Sequence, residues 1–214
     1  MRRVILPALI LSLLLCAGCG AGARDYPELP AADMNGMTLE TTENNILKVD
    51  YPADKWIADE GTDPLVLYYI DTLDSDTGYV NINVQLSQAY SGKLTESVMK
   101  KMIGDMESQV GFINVSLSEL RMLNDEPVIY SEATMSFDDD TIDFMVESGE
   151  WTEEWIEENG GRETFLAIPD TKQVYIYAAV DGNLYIYVGT YYENADKEAL
   201  IDAMTVLVQT TQAK

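Results

Sequence analysis

Residues 174–192, VYIYAAVDGNLYIYVGTYY, constrain this chain more than any other stretch. Two runs of alternating β-branched and aromatic residues flank Asp181, Gly182 and Asn183, which is the pattern of a β-hairpin. Register decides what the hairpin presents. With a three-residue loop, Val180 faces Leu184. The aliphatic side chains Val174, Ile176, Ala178, Val180, Leu184, Ile186 and Val188 then share one face, and Tyr175, Tyr177, Tyr185, Tyr187 and Tyr191 share the other. A two-residue turn mixes the sets, because a slip of one residue turns over every side chain of one strand. The sorted register, with Asn183 in the left-handed position, gives one uniformly aliphatic core face and is the expected one. A tyrosine face could bind glycans or peptides through its rings and hydroxyls. Packing under a helix is the favoured expectation, since tyrosine is an ordinary strand residue.

Similar strand-like runs recur at hairpin spacing: MTLET (37–41), ILKVDY (46–51), LVLYYI (65–70), YVNINVQL (79–86), VSLSELRML (115–123), VIYSEATMSF (128–137), IDFMVE (142–147) and TFLAI (164–168). Turn residues separate them, as in DSDTG and DGN. Two stretches have helical period instead. Leu94, Val98, Met102 and Met106 recur every fourth residue behind Thr95, a natural cap with Glu96 beside it. Leu200, Met204 and Leu207 do the same after Asn194, and a shorter helix is expected from Thr152 to Glu158, stopping at Asn159, Gly160 and Gly161. Many antiparallel strands with one helix mid-chain and one at the end predict an α+β fold, an antiparallel β-sheet covered by helices.

The 214 residues suffice for one sizeable domain with its own core. Histidine is absent, which excludes Ser-His-Asp and Cys-His catalysis and His-based metal sites. The formal charge is −24. Such a field repels nucleic acid phosphates and anionic headgroups, so neither is expected as an electrostatic partner. Residues 119–163 concentrate the bias, with 15 acids against Arg121 and Arg162.

The chain begins MRRVILPALILSLLLCAGC. Arg2 and Arg3 form a basic start and Val4–Leu15 a 12-residue apolar run, shorter than the roughly 20 residues that span a bilayer. Ala17 and Gly18 are the small residues a signal peptidase accepts. Cys16, Ala17, Gly18 and Cys19 resemble the lipobox of bacterial lipoproteins, with Cys16 where leucine is usual. The resemblance implies cleavage before Cys19 and a thioether-linked diacylglycerol on it. Two acyl chains give stable anchoring. Residues 1–18 are then a cleaved signal, leaving 11 basic and 37 acidic residues and a charge of −26. Residues 19–36, rich in Gly, Ala and Pro without apolar period, read as a flexible tether, and 37–214 as a single domain.

The domain resembles the PsbP-like family. The resemblance rests on VDYPADKW (Val49 to Trp56), the helix from Thr95, and the closing hairpin and helix from Val174 to Gln209. It implies an α/β/α sandwich and a binding or assembly role without catalysis, and it carries over no site residues. The acidic insert around Trp151 and Trp155 departs from it.

Other constellations carry bland readings. Asp71, Asp74 and Asp76, and Asp138, Asp139, Asp140 and Asp143, offer hard oxygen ligands that suit calcium. The first group lacks the full loop spacing and distal glutamate, and aspartates also populate turns for backbone reasons. Trp151 and Trp155 are expected to pack down while Glu153, Glu154, Glu157 and Glu158 face water, though they could form an aromatic anchor for a partner. The expected protein is therefore a lipid-anchored extracytoplasmic binding module. It needs no cofactor, touches the membrane through Cys19, and binds an unspecified protein or small molecule. An enzyme using carboxylate, Ser or Tyr groups and a calcium-stabilised module are the alternatives.

Overall fold

The computed structural model describes residues 26–59, 62–73, 78–109, 113–149, 151–192 and 196–214. The predicted hairpin is present as β8 (Thr171–Val180) and β9 (Asn183–Tyr191). They sit inside a seven-stranded antiparallel sheet with β3 (Trp56–Asp59), β4 (Leu65–Tyr69), β5 (Asn81–Ala89), β6 (Ile113–Leu123) and β7 (Glu126–Met135). Strand order is β3-β4-β5-β9-β8-β7-β6. A three-stranded sheet pairs β2 (Leu47–Pro52) with β1 (Leu39–Glu43) and β10 (Gln212–Ala213).

Helices cover both faces of the large sheet, giving the expected α+β sandwich. The helix α5 (Lys197–Thr210) lays Leu200, Ala203, Met204 and Leu207 between the two sheets, against Val174, Ile176, Tyr185 and Tyr187 on one side and Leu47, Val49 and Tyr51 on the other. On the opposite face α1 (Glu96–Gln109) packs Met99, Met102, Ile103 and Met106 over Leu120, Ile129, Tyr175, Tyr177 and Leu184. Thr95 caps α1 as expected, its hydroxyl accepting from the Val98 amide at 3.3 Å. Asn194 lies outside the described residues.

The hairpin register is not the sorted one. Val180 pairs with Asn183, so Asp181 (φ 49°) and Gly182 (φ 78°) form a two-residue turn. Positive φ at both central positions matches the twist of the flanking strands, and Asp-Gly tolerates it. Ala178 then faces Tyr185, Ile176 faces Tyr187, Tyr177 faces Ile186 and Tyr175 faces Val188. Tyrosines therefore stand on both faces. A uniformly aliphatic face has no advantage when a helix closes each side.

Two expected strands are helices. Residues 142–147 fall in α2 (Asp139–Glu147), which starts because the Asp138 carboxylate accepts from the Thr141 amide at 2.8 Å. Ile142 and Val146 lie one helical turn apart and pack toward α3 (Glu153–Glu158) and α4 (Arg162–Leu166). Residues 164–168 begin inside α4, which places Phe165 in the same small core with Ile142 and Ile156. The helix expected from Thr152 is present, with the Thr152 hydroxyl accepting from the Trp155 amide at 3.1 Å.

Part of the stretch read as a tether is docked. The Leu29 amide donates to the Met122 carbonyl at 2.8 Å, and the Met122 amide donates to the Pro27 carbonyl at 2.9 Å. Leu29 is buried in the main core, and Tyr26 packs against the core under α1. Pro27 and Pro30 favour the extended backbone that lies along the outer edge of β6, and the one apolar side chain between them supplies the burial.

Candidate functional site

Helix α1 packs over the β6–β9 side of its face, and among the described residues no helix packs on the β3–β5 side of it. There the register aligns two rows across three strands: Ile57, Tyr68 and Asn81, then Asp59, Val66 and Asn83, with Gln85 next along β5. Alternation separates these side chains from Trp56, Leu65, Leu67, Ile82 and Val84, which point to the core and are buried. Ile57 is 50% exposed, and Tyr79, immediately before β5, is 48% exposed. The Tyr68 and Tyr79 rings meet edge to face with centroids 6.2 Å apart.

The polar groups of this face are partly ordered and partly uncommitted. Asn83 Nδ2 donates to Asn81 Oδ1 at 2.8 Å, and Asn81 Nδ2 donates to the Tyr79 carbonyl at 3.0 Å. Among the described residues, Asn83 Oδ1, the Gln85 amide and the hydroxyls of Tyr68 and Tyr79 have no hydrogen-bond partner. An ordered row of amides with spare donors and acceptors, next to the exposed Tyr79 ring, can grip a ligand that offers both hydroxyls and apolar faces.

The tyrosines predicted from the hairpin serve the core instead. Tyr187 donates to Thr211 Oγ1 at 2.7 Å, Tyr185 to the Ile46 carbonyl at 3.1 Å, Tyr177 to Met106 Sδ at 3.6 Å and Tyr175 to Gln173 Oε1. Burial pushes the Tyr175, Tyr177 and Tyr187 hydroxyls far above the ordinary tyrosine range. They are neutral packing groups. Tyr191 is buried as well.

Trp151 and Trp155 pack down, with centroids 5.0 Å apart and both rings against Phe165. Glu153, Glu154, Glu157 and Glu158 are exposed. Asp138 is spent on the cap of α2, where hydrogen bonds from Thr141 hold its carboxyl below the usual range. Asp143 pairs with Arg162 at 2.6 Å, and Arg162 pairs with Glu153 at 2.9 Å. Asp71 lies in the short 3-10 turn Ile70–Thr72, while Asp74 and Asp76 lie outside the described residues. Cys19, with Cys16, Ala17 and Gly18, also lies outside them.

A second feature is an open cleft of about 590 Å³ at the hairpin-tip end of the sheet. Lys93, Glu126, Asp181 and Gln209 stand around a floor that includes Leu123 and Val128. Glu126 and Asp181 are both exposed, and the Asp181 carboxylate accepts from the Ala213 amide at 3.4 Å.

No protein-family model matches this chain, and no curated protein does. Among solved structures it is similar to cyanobacterial PsbP (CyanoP) from Synechocystis sp. PCC 6803, with 13% identity over 92% of this chain and 98% of that one and a TM-score of 0.46. It is also similar to LpqN of Mycobacterium tuberculosis, described as involved in cell envelope biogenesis, with 12% identity over 84% and 92% of the two chains and a TM-score of 0.45.

The residues of the β3–β5 face carry a signal in the sequence. YVNINVQL alternates Val80, Ile82 and Val84 with Tyr79, Asn81, Asn83 and Gln85. Solvent-facing strand positions usually carry charges or hydroxyls.

Proposed function

We propose that this protein is a lipid-anchored extracytoplasmic binding module without catalytic activity, and that it binds through the open face of β3–β5. The observation that carries this reading is the contrast between tyrosines. Those of β8 and β9 are consumed by the core, whereas Tyr79 stands exposed and Tyr68 half-buried beside Asn83 and Gln85, whose Oδ1 and side-chain amide have no partner among the described residues. The groups with acid–base capacity in the insert and the cleft support the non-catalytic reading, since they hold caps and ion pairs or face bulk water. Anchoring rests on the resemblance of Cys16–Cys19 to a lipobox. Among the described residues, no helix is long and apolar enough to cross a membrane.

Two measurements test the proposal. Cell fractionation should find wild type and Cys16→Ala in the membrane pellet and Cys19→Ala outside it; equal release of all three variants defeats the anchor. Hydroxyl-radical footprinting should find Tyr68 and Tyr79 protected in intact cells relative to the purified protein. Equal modification in both settings defeats the binding face.

A further inference from the structure

We infer that the occupant of the open face is a neutral glycan chain, an inference that rests on the binding reading above and names its ligand class. Side-chain amides present a donor and an acceptor together, which is the complement of a hydroxyl group. Phosphate, sulfate or carboxylate ligands call for Arg guanidinium forks or Lys ammonium groups, and the rows Ile57–Tyr68–Asn81 and Asp59–Val66–Asn83 contain neither. The hydrogen bonds from Asn83 to Asn81 and from Asn81 to the Tyr79 carbonyl fix the amides before any ligand arrives, so little side-chain entropy remains to be lost on binding. The exposed Tyr79 ring, held edge to face by Tyr68, offers a flat apolar surface for the C–H face of a sugar ring beside those amides.

Charge narrows the choice further. The body without its leader carries −26, so anionic polymers are repelled at long range. A cationic polymer would be drawn first to residues 136–170, which hold 12 acids and one base, Arg162. The open face is close to neutral by contrast, with Asp59 at its edge as the one charged side chain in the two rows. A second copy of the chain is a poor occupant for the same reason. Two bodies of −26 repel, and their contact would bury the uncommitted amides without an assigned partner. A neutral polyhydroxylated chain meets every condition at once.

The test is calorimetric titration of the full-length acylated protein in a zwitterionic, sugar-free detergent with three neutral probes: chitohexaose, cellohexaose and maltohexaose. At least one should bind, and Asn83→Ala combined with Gln85→Ala, or Tyr79→Ala alone, should weaken it by about tenfold or more. Lys93→Ala in the remote cleft should leave affinity unchanged. Unaltered thermal melting of the variants separates lost contacts from lost folding. The inference is overturned if no hexasaccharide binds, if binding ignores all the face variants, or if sedimentation shows a dimer that Tyr79→Ala dissociates. Footprinting separates the two readings: protection of Tyr68 and Tyr79 in cells without hexasaccharide binding removes the glycan and keeps the binding face, whereas loss of protection as well removes both.

Discussion

At the scale of single residues, Gly189 and Glu132 show opposite ways in which a side chain position can be indispensable. A Cβ at Gly189 would stand 2.6 Å from Met204 Sδ and 2.8 Å from Leu200 Cδ2, so α5 reaches the sheet only because β9 carries no side chain there. Gly189→Ala should therefore cost about 1–3 kcal/mol through overpacking, read as a lower urea midpoint at constant slope. Glu132 acts through its charge. Burial opposes its ionisation, but hydrogen bonds from Lys197 and from Tyr130 at 2.7 Å outweigh it and hold the carboxyl below the usual glutamate range. The folded protein thus keeps Glu132 ionised at pH values where the unfolded chain has begun to protonate it. That contribution is present above the unfolded value and is lost as pH falls through the folded one. The melting temperature of wild type should exceed that of Glu132→Gln near neutrality, and the gap should close as pH falls through the ordinary glutamate range and below it.

At the scale of elements, legibility in the sequence tracked whether a pattern belonged to one element or to a neighbour. The helix behind Thr95 and the one behind Thr152 were readable because cap and apolar period lie within the same dozen residues. IDFMVE was ambiguous because four apolar residues in six suit either period, and the deciding signal, the Asp138 cap, lies before it. The hairpin register was legible in Asp181-Gly182, a pair suited to a two-residue turn, and only the preference for one aliphatic face spoke against it; that a helix closes each face is not encoded in the hairpin. The open face was half legible: β5 shows its alternation, but that α1 stops short of it depends on the path of the chain after Ala89. Residues 26–29 are the plainest tertiary override, since a Gly- and Pro-rich stretch holds one leucine that finds the edge of β6. Leu29→Ala removes the only buried side chain of that attachment, so residues 26–36 should be cleaved faster by dilute protease while the sheet resists. Unchanged cleavage would mean that the two backbone hydrogen bonds at Met122 hold the segment by themselves.

At the scale of the whole molecule the dominant fact is an unbalanced charge on a well-filled interior. The core is closed by two helices on a sheet, and the acids are displaced to the periphery, most densely onto the insert of α2, α3 and α4, whose own small core is Ile142, Ile156 and Phe165 under Trp151 and Trp155. Arg162 bridges Asp143 and Glu153 there, and the other carboxylates of the insert repel one another. Salt weakens both effects, but like charges far outnumber opposite ones, so screening should stabilise the fold. Raising ionic strength from about 0.01 M to about 0.15 M shortens the screening length from about 30 Å to about 8 Å, and the melting temperature should climb across that interval. Calcium and magnesium chlorides at equal concentration then separate general screening from a dedicated site. Asp138 and Asp143 already hold a cap and an ion pair, so the two salts should raise the melting temperature equally; a larger rise with calcium, lost on addition of chelator, would reveal an oxygen-ligand site and restore the calcium-stabilised reading of this chain.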